Sequence, residues 1–179
     1  MATEARIVSA TAKSTGLVDI KSLVLLAILL AAGFILNMTL GNALAIVGIK
    51  PQFIIAAYAL TIALTNANLG QAAIYGLLSA AVIQLTTSIP GLNFATELVA
   101  ALVMSALVRT GVGRGLNPLV AAFLTTLVSG GLFAVAGTVM MGAELATAVV
   151  KVPIVLGTAV FNAAVVQALF FPLNKVLGK

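Results

Sequence analysis

The sequence predicts an all-α integral membrane protein, a six-transmembrane-helix bundle with both termini cytoplasmic. Three observations predict it. Hydrophobic residues make up 62% of the 179 and charged ones 7%, where a soluble domain carries about a quarter charged residues. Between Lys50 and Arg109 the sole charge is Glu97. The apolar runs, cut at their breakers, come in lengths near the ~20 residues that a helix needs to cross a bilayer core, and mean hydropathy is +1.24.

Each span has its own boundary signals. The first is expected from about Ser22 to Leu40, after Asp19 and Lys21, with Gly41-Asn42 ending it. The second starts at Pro51, a good first-turn residue, and fades at Asn66-Ala67-Asn68. The third runs from Leu69 to Ile89 and stops at Pro90-Gly91; the fourth runs from Asn93 to Val108. A loop of Arg109, Gly111, Gly113, Arg114 and Gly115 follows. The fifth opens at Asn117-Pro118 and ends near Met141-Gly142. The sixth covers Ala146 to Phe171, with Pro153 near its start and Pro172 near its end.

If the spans alternate, Arg6, Lys13, Lys21, Arg109, Arg114, Lys175 and Lys179 share one side, while Lys50, Glu144 and Lys151 fall on the other. The positive-inside rule then puts both termini in the cytoplasm. Residues 1–19 are polar and form a cytoplasmic or interfacial segment; residues 20–179 form one membrane domain. Ala43-Leu44-Ala45 has the form of a signal-peptide cleavage site, but the preceding run is longer than the ~7–15 residues of a signal core. It is expected to remain as a span.

Composition excludes several chemistries. The chain has no cysteine and no histidine, which removes disulfides, thiolate metal sites and imidazole catalysis. Its four acids, Glu4, Asp19, Glu97 and Glu144, are scattered, and no GxxxxGK[ST] loop is present. The chain is therefore expected not to be an enzyme and to hold no cofactor or metal. The pI is near 10.0, but the nine cations are spread between spans rather than clustered on one face, so no nucleic-acid partner is expected.

Small residues mark two helix faces. Ala27 and Ala31, with Ala32 and Gly33 beside them, let another helix approach the first span closely, whether within the bundle or from a partner. Thr126, Gly130, Ala134 and Gly137 form a similar ridge on the fifth, read as internal packing.

With those features in place, the chain resembles the substrate-binding S component of an energy-coupling factor (ECF) transporter, and within it the tryptophan-type (TrpP) S components. The resemblance covers most of residues 20–175. It rests on the Ala27-x-x-x-Ala31 motif, Gly48-Ile49-Lys50-Pro51-Gln52-Phe53, Thr86-Thr87-Ser88-Ile89-Pro90-Gly91, Asn93, Ser129-Gly130, Pro153 and Asn162. Gln52 stands where the family is expected to carry an acid, Thr96-Glu97 where it carries an acidic-then-basic pair, and the loop from Gly91 to Asn93 is shorter. The resemblance implies a subunit in the lipid bilayer that captures tryptophan or a related amino acid outside. It also implies docking through Ala27 and Ala31 onto a transmembrane T component driven by two cytoplasmic ATPases.

Ionisable groups inside a span are costly, at least ~2.5–3.5 kcal/mol at the helix centre. Lys50, Glu97 and Lys151 fall near the outer ends of their spans. A zwitterionic amino acid needs an acceptor for its ammonium, which Glu97 supplies, and a cation for its carboxylate, which Lys151 or Lys50 supplies. Snorkelling of the lysines to the headgroups and a helix-joining Glu97–Lys151 ion pair are the alternatives. Two polar stripes at helical spacing point to the same depth: Asn93, Thr96, Glu97 with Ala100, and Lys151, Val155, Thr158 with Asn162. Gln84 with Thr86, Thr87 and Ser88 closes the third span, and Phe53, Phe94 and Tyr58 are candidate aromatic walls. The expected substrate-binding set is Lys50, Gln52, Phe53, Gln84, Thr87, Asn93, Phe94, Glu97, Lys151 and Asn162. The rival classes are a stand-alone small secondary transporter or channel, and an S component for another nutrient such as a vitamin.

Overall fold

The computed structural model describes residues 19–45, 51–111 and 117–178. It is 85% helix, and among the described residues there is no strand. Helix α1 (Ile20–Leu36) opens at Asp19, whose carboxylate accepts the Ser22 N–H at 3.3 Å. It continues through a π-helical turn, Asn37–Gly41, and one more helical turn, Asn42–Ala45. Gly41-Asn42, expected to end the span, does not break it. The polar side chains here bond back onto the helix: Thr39 Oγ1 donates to Ile35 O at 2.8 Å and Asn42 Nδ2 to Met38 O at 2.9 Å.

Helix α2 (Phe53–Thr65) ends at Asn66, which takes the left-handed conformation (φ 49°) that asparagine tolerates. Asn68 then starts α3 (Leu69–Ile83) with a capping box. Its Oδ1 accepts the Gln71 N–H and Gln71 Oε1 accepts the Asn68 N–H, both at 3.0 Å. Helix α3 stops six residues before the expected Ile89. From Gln84 onward hydroxyls and an amide side chain take over the backbone's partners, and Pro90 offers no N–H. Helices α4 (Leu92–Arg109) and α5 (Asn117–Met140) follow. The chain then winds as a 3-10 helix over Leu145–Lys151 before α6 (Val152–Val176). Pro153 explains the late start of α6. Its ring clashes with the carbonyl four residues back in an α-helix and is harmless only in the first turn. Pro172 lies inside α6, which runs on to Val176.

Helix α2 sits at the centre and touches all five other helices. It is apolar on every side, and Ile54, Tyr58, Ala59 and Ile62 are fully buried; a helix of that kind belongs in an interior. The outer helices turn apolar side chains outward, among them Ile28 on α1, Val139 on α5 and Val160 on α6. By length and composition four helical stretches can cross a membrane: Ile20–Leu44, Leu92–Arg109, Pro118–Met140 and Leu145–Val176. These long apolar helices are compatible with a transmembrane protein. Helices α2 and α3 are apolar but shorter, with 13 and 15 residues. At ~1.5 Å per residue they fall short of a ~30 Å hydrocarbon core. Arg6, Lys13, Lys50, Arg114 and Lys179, five of the cations used to orient the chain, lie outside the described residues.

Two glycines let helices meet backbone to backbone. A Cβ on Gly33 would lie 3.0 Å from Phe53 O, where α1 meets the start of α2. One on Gly76 of α3 would lie 2.7 Å from Glu97 O and 2.8 Å from Ala101 Cβ on α4. Neither neighbour is a flexible side-chain end, so Gly76→Ala forces the helices apart. It is expected to cost about 1–3 kcal/mol, as overpacking does. Gly131→Ala, inside α5 with nothing within 4 Å of its Cβ, is expected to raise stability by up to about 1 kcal/mol. Thermal unfolding of the two variants in the same detergent checks this.

Candidate ligand-binding site

The site begins with one buried carboxylate. Glu97 lies in the second turn of α4 and is 2% exposed. Burying a carboxylate demands donors in place of the lost water. Three hydroxyls provide them. Ser129 Oγ on α5 donates to Oε1 at 2.7 Å, Thr96 Oγ1 donates to the same oxygen at 3.2 Å, and Tyr58 Oη on α2 donates to Oε2 at 2.9 Å. The carboxylate thus joins α2, α4 and α5. Behind it, Gly76 brings α3 against its own backbone.

Glu97 opens onto a partly open cavity of about 390 Å³. Gln52, Thr87, Asn93, Ser129 and Lys151 share its wall with Glu97, as do the apolar Ile55, Phe133 and Val155. The π-helical turn of α1 contributes Asn37, Met38 and Gly41 to the same wall, which fits the frequent occurrence of such turns at functional positions. The volume lies within the ~300–1,000 Å³ usual for small-molecule sites. The wall is mostly apolar with a few polar groups converging, which is the usual design of such a site.

Five of the ten expected residues therefore meet at one cavity: Gln52, Thr87, Asn93, Glu97 and Lys151. Lys50 lies outside the described residues. The other four stand elsewhere, each for a physical reason. Phe53 is buried and packs edge-on against Phe161, ring centroids 5.4 Å apart. Gln84 builds the loop after α3, where its Oε1 accepts the Gly91 N–H at 2.9 Å. Phe94 is 39% exposed, because it lies one position past Asn93 and so points away from the buried face of α4. Asn162 is fully buried behind the wall, where its Nδ2 donates to Gln52 O at 3.1 Å and to Thr126 Oγ1 at 3.4 Å.

The start of α2 is held from two sides. Asn162 grips the Gln52 carbonyl, and Asn37 Oδ1 accepts the Phe53 N–H at 2.8 Å. The loop before α4 is fastened by Thr87, whose hydroxyl donates to Asn93 Oδ1 at 2.6 Å and accepts the Ile89 N–H at 3.3 Å. Glu97 and Lys151 do not pair. Lys151 Nζ donates to Thr138 Oγ1 at 2.9 Å, and the residue sits at the junction of the 3-10 helix with α6.

Tyr58 was a candidate wall by its ring; its hydroxyl is what reaches the site. Ser129 and Thr138 carried no expected role toward these charges. One signal was available: a buried Glu needs donors and a buried Tyr needs a partner, but which helices meet is not written locally. Ala27 and Ala31 are exposed and line a separate apolar groove of about 400 Å³ between α1 and α3, bounded by Leu23, Leu78 and Val82. On the ridge of α5, Gly130 meets Val155 and Gly137 meets Ile89, both inside the bundle.

Among the described residues no cluster of three or more Asp or Glu side chains could hold a metal. The fold and site define an apolar chain, helical through most of its described residues, with a partly open cavity on whose wall a few polar groups converge. Comparison with protein-family models, with curated proteins and with solved structures gives no match to the chain.

The hydroxyl cage makes a prediction that holds whatever the cavity binds. Ser129→Ala and Tyr58→Phe each leave a carboxylate acceptor unpaired, at an expected cost of about 1–3 kcal/mol. Phe94→Ala, on the exposed face, is expected to stay within about 0.5 kcal/mol of the parent. Thermal unfolding midpoints in detergent separate the two outcomes.

Proposed function

We propose that the chain is the membrane-embedded substrate-binding subunit of an energy-coupling factor importer and that it captures tryptophan or a related amino acid. In this reading the six helices are all spans, both termini are cytoplasmic, and the protein is a multi-pass component of the cell membrane. A T component and two ATPases drive transport, and the chain itself catalyses nothing.

The observation that carries the reading is the Glu97 carboxylate on the cavity wall. A carboxylate has about four acceptor positions. Three are taken by hydroxyls of the described residues. The Asn93 side chain approaches it as well, and all of these partners are neutral, so a ligand ammonium suits the carboxylate as a cationic donor, in a charge-assisted hydrogen bond of the strong kind. Lys151 on the same wall suits a carboxylate, and Ile55, Phe133 and Val155 suit an apolar ring. The open apolar groove at Ala27 and Ala31 supports docking of a partner helix at that face.

The chain has no tryptophan and two tyrosines, so bound tryptophan fluoresces against a dark background. Titration of the purified protein in detergent is expected to give a saturable blue shift, competed by tryptophan analogues and weakened at least ~100-fold in Glu97→Ala, as loss of a buried charged partner does. Absence of saturable binding sinks the tryptophan assignment. Replacing both Ala27 and Ala31 by Leu fills the groove. Uptake of labelled tryptophan by cells carrying the partner subunits is then expected to fall at least tenfold while binding to the isolated protein is retained. Uptake that survives points instead to a stand-alone carrier.

A further inference from the structure

We propose that this cavity selects its ligand by the ammonium group and only weakly by the carboxylate, so that arylalkylamines are ligands as well as amino acids. The inference rests on the amino-acid reading above and sharpens its substrate class.

The two charges of the site are unlike. Glu97 is 2% exposed, held rigidly by three helices' worth of contacts, and has no cationic partner among the described residues. An ammonium reaching it adds a cationic donor to a carboxylate whose partners are all neutral. Lys151 is only half-buried and lines the same cavity from the junction of the 3-10 helix with α6. Its ammonium already has a partner in Thr138 Oγ1. It is also the one cation among the described residues of the wall. A ligand carboxylate would share this ammonium with Thr138, at a group held by one hydrogen bond where Glu97 is held by three. A ligand with a carboxylate and no amine would bring a second negative charge toward Glu97 with Lys151 alone to offset it, and like-charge juxtaposition of this kind disfavours such a ligand.

The test is a ligand series on the full wild-type chain in detergent, read by ligand fluorescence: L-tryptophan, tryptamine, which lacks the carboxylate, and indole-3-propionate, which lacks the ammonium. Tryptamine is expected to bind within about tenfold of tryptophan. Indole-3-propionate is expected to bind at least ~100-fold more weakly, the scale on which a site rejects an analogue that leaves its buried polar group unpaired. Glu97→Gln is expected to collapse the difference between the two analogues. The wild-type series decides the matter even if that variant does not fold. Indole-3-propionate binding as tightly as tryptamine, or tryptamine losing more than ~100-fold while tryptophan binds, overturns this inference and leaves the amino-acid reading standing. Failure of all three to saturate overturns both.

Discussion

A carboxylate taken out of water must be given donors, and much of this structure follows from how Glu97 gets them. Its three hydroxyl partners come from α2, α4 and α5. Their geometry therefore sets the mutual rotation of those helices, since hydrogen bonds of 2.7–3.2 Å tolerate little sliding. A buried polar group that loses a partner carries a desolvation cost, so the penalty for misalignment is steep. Apolar side chains alone would allow the helices several registers; the carboxylate narrows them. Gly76 adds a steric condition at the same place, since only a residue without Cβ lets α3 come so close to the Glu97 backbone.

The central helix provides the frame for this. Helix α2 carries almost no polar surface, so it takes the interior and the other five surround it. Its first turn has backbone N–H groups without intrahelical partners, and one of these is answered by Asn37 from α1, while the preceding carbonyl is answered by Asn162 from α6. The same two contacts border the cavity, because Gln52 and Asn37 both line it. Structural anchoring and the cavity wall are thus built from one set of residues. Thr87 and Asn93 repeat the pattern on the other side, where a loop hydroxyl and a first-turn amide hold each other and face the same space.

Much of the bundle was legible in the chain. Apolar runs and their breakers located the six long helices of the described residues, and the end of α2 at Asn66 was read from the Asn66-Ala67-Asn68 breaker; the Asn68–Gln71 box and the place of Pro153 in a first turn emerged with the structure. The stripe Asn93, Thr96, Glu97, Ala100 is buried as its spacing required. Lengths were less legible. Apolar composition continues past Ile83, but hydroxyl groups from Thr86 to Ser88 end α3 early, and the 3-10 winding before Pro153 delays α6. Among site residues, Phe94 and Asn93 are adjacent in sequence but about 100° apart around the helix, enough to bury one and expose the other.

What the sequence determined by itself was the set of apolar helices and the scarcity of charge among them, because hydrophobic period and end signals act within a few turns. It also singled out Glu97, since a lone acid in so apolar a stretch needs partners. Only the tertiary structure decided who those partners are. Tyr58 and Ser129 stand 39 and 32 residues away along the chain, and nothing local distinguishes them from other hydroxyls. The same holds for Lys151, which turns to Thr138 rather than Glu97. Which polar groups meet is set by how whole helices pack, and that depends on close approaches such as Gly76 against α4 and on the central position of α2.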